Sequence, residues 1–121
     1  MPSLTDFYIK TDWEVKDHSL SCVLAFNEAH PIFTGHFPGN PIVPGVITIE
    51  ILMALLEEAL GLRLALQNAQ NIKFLQLITP VSRPAVSISW TESAGVYAAT
   101  AIMKDGAATL FKMSASYATQ R

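Results

Sequence analysis

Two side chains suited to proton transfer stand fourteen residues apart: His36, within FTGHFPGNPIVPG (33–45), and Glu50, within the apolar run VITIEILMALL that follows. An unperturbed imidazole titrates near neutrality and can accept a proton. Pro38, Pro41 and Pro44 each fix their own φ and restrict the residue before them, so the loop holds His36 at little entropic cost on binding. The interleaved glycines imply close approach of the backbone. Two plainer readings compete. A lone loop histidine commonly does no chemistry, and P-x-x-P marks polyproline ligands. The second fits poorly, because the segment carries no basic anchor and runs straight into a helix.

Glu50 falls about one and a half turns into that helix. Burial disfavours the ionised form of a lone carboxyl, whereas the positive end of the helix favours the anion. A carboxyl balanced between these effects serves as acid or base near neutral pH. The alternative is a carboxylate that emerges at a surface or pairs with Lys or Arg. The N–H groups of Gly45 and Val46, in the first turn, have no partner within a helix and can polarise a carbonyl oxygen.

These groups need elements to position them. The pattern predicts two strands, a loop, one helix and four strands. Residues 7–15 make a first strand and KDHS a turn. In LSCVLAF (20–26), Leu20, Cys22, Leu24 and Phe26 share a face. The helix starts at Pro44 or Gly45, where proline is tolerated, and stops near Gly61. It is apolar nearly all round for three turns, so a sheet must wrap it. NIKFLQLITPV reads as a strand ending at Pro80. AVSISWTE points Val86, Ile88 and Trp90 one way and Ser87, Ser89 and Thr91 the other. GVYAATAIMK and TLFKMSASYAT flank the hairpin signal Asp105-Gly106. In the last strand Phe111, Met113, Ala115 and Tyr117 alternate with Lys112, Ser114 and Ser116. The fold class is α+β, an antiparallel sheet with one long central helix, in a single domain over 1–121.

Half of the 121 residues are hydrophobic, more than a small domain easily covers. A large core or a second copy buries the excess. Net charge is −2 with no run of like charge, which speaks against a nucleic-acid surface. The single Cys22 cannot form an internal disulfide, and no signal peptide or membrane span is evident; a cytoplasmic protein is expected.

The string F-x-G-H-F-P-x-x-P-x-x-P-G-V with a carboxylate fourteen residues after the histidine resembles the 3-hydroxyacyl-[acyl-carrier-protein] dehydratases, the FabZ/FabA-like members of the hotdog superfamily. NEAHPIFTGHF and KFLQLITPVSRP extend the likeness outward. The resemblance implies a hotdog fold and a two-fold dimer in which His36 of one subunit faces Glu50 of the other. It implies loss of water from a (3R)-hydroxyacyl thioester to give the trans-2-enoyl thioester, with no metal or other cofactor. His36 would take the C2 proton and Glu50 would assist the departing hydroxyl. The Gly45 N–H would hold the thioester carbonyl, with Val46, Phe37 and Pro38 beside the substrate. The partner implied is an acidic acyl carrier protein, for which Lys73, Arg83 and Lys104 are candidate contacts. Two departures stand out. Ala54 replaces the glutamine common four residues after the acid, and the chain leaves no room for a substantial leading helix. Both fit a specialised-pathway member, such as the aryl-polyene cluster dehydratases, better than the housekeeping enzyme. A hotdog thioesterase and a non-catalytic acyl-binding subunit of a heteromeric dehydratase are the alternatives. Thioesterases usually lack the His-Phe-Pro loop.

Overall fold

Alternation of apolar and polar side chains builds most of the sheet. The structure, a computed structural model, describes Leu4 and residues 6–35 and 39–120. Its strands are β1 (Tyr8–Lys16), β2 (Ser19–Phe26), β3 (Leu64–Phe74), β4 (Ala85–Ser93), β5 (Val96–Asp105) and β6 (Ala108–Thr119). They form one antiparallel sheet in the order β1-β2-β4-β5-β6-β3. Leu20, Cys22, Leu24 and Phe26 are buried on one face with Val86, Ile88 and Trp90. Phe111, Met113, Ala115 and Tyr117 continue that face on β6. The two hairpins β4–β5 and β5–β6 turn through left-handed residues: Ala94 and Gly95 (φ 52 and 81) in one, Gly106 (φ 61) in the other. In the first, the Glu92 carboxylate accepts the Gly95 N–H at 2.9 Å.

Helix α2 (Gly45–Leu60) lies against the buried face of the sheet. It ends at Gly61, whose left-handed φ of 68 lets its N–H reach the Glu57 carbonyl. The Glu57 side chain then accepts the Leu64 N–H at 2.8 Å, tying the helix end to the start of β3. Ile47, Ile51, Leu52, Leu55 and Leu56 are buried, each worth about 1.5–3 kcal/mol relative to exposure. The sheet wraps the helix on one side, as its apolar character led one to expect, and leaves part of the opposite side open. Val46 is 57% exposed, and Ile49, Glu50, Met53 and Ala54 are only half-buried. One apolar helix face is thus left uncovered within the chain.

Two further expectations need correction. The strand read at 71–81 lies instead at Leu64–Phe74. Its first half, LALQNAQ, has weak strand propensity, but pairing with β6 overrides that preference. Residues 75–84 belong to no strand. There the Leu75 and Gln76 N–H groups share the Leu110 carbonyl, and Ile78 O accepts the Val43 N–H at 2.7 Å. This segment therefore braces the loop ahead of α2. The loop read before α2 also holds a short helix, α1 (Pro31–Gly35). It is anchored by Phe33, which packs with Phe7 and Phe26 at ring-centroid separations of 5.0 and 6.3 Å.

The two sheet edges differ. β1 carries Lys10, Asp12, Glu14 and Lys16 and a register shift between Thr11 and Glu14. β3 has no charged residue from Leu64 to Ile72, and exposes Leu66 and Ile72. Beyond it Phe74, Leu75 and Leu77 are also exposed.

The start of α2 is seated on β3 by one close approach. A Cβ added at Gly45 would lie 2.7 Å from Phe74 Cζ. Phe74 itself stacks edge-on against buried Phe111 at 5.0 Å. Gly45→Ala should therefore lower stability by about 1–3 kcal/mol in urea denaturation, and Phe74→Leu in the same chain should recover much of the loss. Equal stability of Gly45→Ala and the parent would show that the ring moves freely.

Burial pushes the Cys22 thiol from its ordinary 9.0 up to about 11, with Lys10 opposing and Glu58 reinforcing the shift. Burial alone takes the Tyr117 phenol from 10.0 to about 12. Both groups keep their protons longer folded than unfolded, so their full contribution to stability holds below about pH 9 and drains away as pH rises through the folded values. Urea midpoints should fall progressively across that alkaline window, and Cys22→Ala should flatten its lower part.

Candidate active site

Pro44 caps α2 from an extended conformation (φ −60, ψ 145). Its carbonyl accepts the N–H groups of both Ile47 and Thr48 at 3.0 Å, and the Thr48 hydroxyl at 3.4 Å. The N–H groups of Gly45 and Val46 make no hydrogen bond among the described residues. They are the orphan donors of the first helical turn, and Gly45 adds no side chain to shield them. Beside them lies a groove of about 470 Å³ lined by Ile42, Val43, Gly45, Thr48, Phe74 and Leu77, among others. An apolar groove opening at helix N-terminal donors suits a ligand with a polar carbonyl and an apolar tail.

Glu50 sits one turn beyond Val46 on the half-buried side of α2. Its carboxylate makes no hydrogen bond or ion pair among the described residues; the ion pair there is Lys10–Glu58 at 2.9 Å. The reading of Glu50 as a carboxylate paired with Lys or Arg is therefore not met. Ala54, one turn further on, brings no polar atom to it. The structure thus gathers Gly45, Val46 and Glu50 within the first turns of one helix. His36, Phe37 and Pro38 lie outside the described residues.

The approach to His36 is nonetheless well defined. His30 is buried, and its Nδ1 accepts the Ile32 N–H at 3.1 Å, capping α1. Its ring meets Phe7 edge-on at 5.1 Å. α1 ends at Gly35, the residue before His36. The reading of the sequence missed His30; its signal was a side-chain acceptor placed directly before a proline at a first helical position. Phe74 was also missed, because its strand was misplaced. Among the described residues no group of His, Cys, Asp or Glu could hold a metal ion. No helix is long and apolar enough to cross a membrane.

Comparison with known proteins extends this picture. Residues 12–110 match the ApeI-like family, described as ApeI dehydratase. A curated relative, the 3-hydroxyacyl-[acyl-carrier-protein] dehydratase FabZ of Wolbachia pipientis wMel, is 42% identical across 47% of this chain and 43% of its own length. The FabZ of Geobacter metallireducens is 28% identical across 73% of this chain and 67% of its own. The chain thus spans about half the length of the first of these relatives. Among solved structures, the dehydratase heterocomplex ApeI:P from Xenorhabdus doucetiae superimposes with a TM-score of 0.77 at 20% identity, covering 92% of this chain and 97% of that one. A hypothetical thioesterase with coenzyme A from Streptococcus pneumoniae TIGR4 gives 0.66 at 10% identity, covering 93% and 88%. Both likenesses show the hotdog fold and no more. The matched residues run from the bulge of β1 into β6 and include Gly45, Val46 and Glu50, so the chain belongs to the ApeI-like dehydratase family of hotdog proteins.

Proposed function

We propose that the chain is a single hotdog domain that dehydrates (3R)-hydroxyacyl thioesters carried on an acyl carrier protein. In this reaction the C2–H and C3–O bonds break, the C2=C3 double bond forms, and water leaves. His36 removes the C2 proton. The electron pair flows toward the thioester carbonyl, whose oxygen is held by the Gly45 N–H at the start of α2. Glu50 donates a proton to the departing 3-hydroxyl. The proton taken and the proton given balance, so no metal or redox cofactor enters the step. The apolar groove along Ile42, Val43 and Leu77 takes the acyl tail. Val46 lies at its mouth, and Phe37 and Pro38 flank the substrate.

The observation that carries this reading is a carboxyl without a partner among the described residues, one turn from two unpaired N–H donors and an apolar groove. The membership of the ApeI-like family supports the same reaction. We also infer a place in a specialised pathway of the aryl-polyene type, in the cytoplasm.

The site is completed by a second copy. The partly open face of α2, with Val46 exposed, and the edge of β3, uncharged from Leu64 to Ile72 and exposing Leu66 and Ile72, are surfaces a second copy can cover. Two copies joined there bury both, and bring His36 of one protomer to Glu50 of its partner. A different chain in the partner's place is the second reading, favoured by the likeness to a dehydratase that forms a heterocomplex.

Hydration of a crotonyl thioester, followed by loss of enoyl absorbance, tests the assignment. Glu50→Gln and His36→Ala should each lower the rate by about 10²–10⁴-fold. Wild-type rates in both variants would defeat the roles given, and release of free thiol would favour a thioesterase. Mixing the two inactive variants under conditions of subunit exchange should restore part of the activity. Proven exchange without recovery would mean that each site lies within one chain.

A further inference from the structure

Lys73 on β3 and Lys112 on β6 are directly opposed across the strand pair, and both are exposed. Like charges in that arrangement destabilise a sheet. No carboxylate relieves them: β3 and β6 contain no Asp or Glu, and neither lysine has an ion pair or hydrogen bond among the described residues. Between them lies a groove of about 320 Å³, lined also by Asn71, Thr100 and Ser114. Asn71 stands at the register shift of β3 in a left-handed conformation (φ 52), where the strand departs from regular pairing. Lys104 lies on the same outer face, two residues along β5 from Ile102, the partner of Lys112. The one carboxylate of these three strands, Asp105, is held by the Arg83 backbone N–H at 3.2 Å. The Arg83 guanidinium itself is engaged by the carbonyls of Pro80 and Ser82. A chain of net charge −2 thus concentrates three unpaired cations on one end of the outer sheet face.

That end is also the end of the candidate active site. Phe74, next to Lys73, carries the ring that meets Gly45, and Phe111, next to Lys112, supports that ring. One pair of strand segments therefore presents aromatic rings to the helix N-terminus and ammonium groups to solvent on its reverse side.

We propose that the groove between Lys73 and Lys112, with Lys104 beside it, docks an acidic protein surface: that of the carrier whose acyl arm reaches Gly45. The proposal deepens the dehydratase reading and rests on it. Charge complementarity decides the occupant: although Ile102 and Met113 also line the groove, three ammonium groups without a carboxylate partner among the described residues call for an acidic surface.

The test is binding of a fluorophore-labelled acidic bacterial acyl carrier protein, read by anisotropy at low and moderate salt. The double variant Lys73→Glu/Lys112→Glu should bind roughly tenfold more weakly or worse, with a shallower salt dependence. Lys16→Glu, on the far edge of the sheet, should bind like the parent. Lys73→Glu alone should weaken binding while raising the melting temperature, because it converts a repulsive cross-strand pair into an attractive one. In the reaction, the ratio of kcat/KM for a carrier-bound over a carrier-free pantetheine thioester should fall by a similar factor in the double variant. Equal affinity of parent and double variant, or an equal loss in Lys16→Glu, overturns the docking surface. Failure of the parent to hydrate the carrier-free thioester while binding the carrier would instead defeat the dehydratase reading and leave the surface standing.

Discussion

The candidate site depends on a contact in which a backbone without a side chain meets an aromatic ring. Gly45 begins α2, and Phe74 of the edge strand fills the space where any other residue would carry its Cβ. This contact sets how closely the helix start approaches β3. It also leaves the N–H of Gly45 beside an apolar groove with no side chain of its own to cover it. Phe111, which is buried, meets the exposed Phe74 ring edge-on and ties it to the core. Position 45 is therefore held to glycine by packing alone, whatever else is asked of it.

A second constraint acts along the same helix. The sheet covers Ile47, Ile51, Leu52, Leu55 and Leu56, and leaves the opposite side of α2 partly open. Glu50 lies in that opening, without a charged partner among the described residues. Most of the apolar content lies in the core, and a smaller part lies on this helix face and on the neighbouring strand, where Val46, Leu66, Ile72 and Phe74 are exposed.

The core was largely legible before the structure. Strict alternation in LSCVLAF, AVSISWTE and TLFKMSASYAT set the inward faces correctly, because burial on one side of a sheet is a period-two signal. The helix limits followed from Pro44 and Gly61, residues whose backbone geometry permits a start and a stop. β3 was not legible. LALQNAQ offers little intrinsic preference for a strand, and only its long pairing with β6 makes it one. The segment after it looked like a strand because Leu75 and Leu77 are apolar, although both are exposed. Of the candidate site, the placing of Gly45, Val46 and Glu50 in the first turns of α2 was readable from the sequence. The roles of Phe74 and His30 were not, since each acts through a contact between elements distant in sequence or within a helix too short to leave a periodic trace.

The unequal edges of the sheet have one more consequence. Charged side chains on an edge strand oppose the addition of another strand, and β1 carries four of them. β3, although it shifts register twice, carries none from Leu64 to Ile72. A molecule with a single open side can be closed by one neighbour, after which nothing remains to receive a third. The asymmetry thus works as a built-in stop against fibril growth, setting a finite end to sheet extension in a chain otherwise rich in β structure.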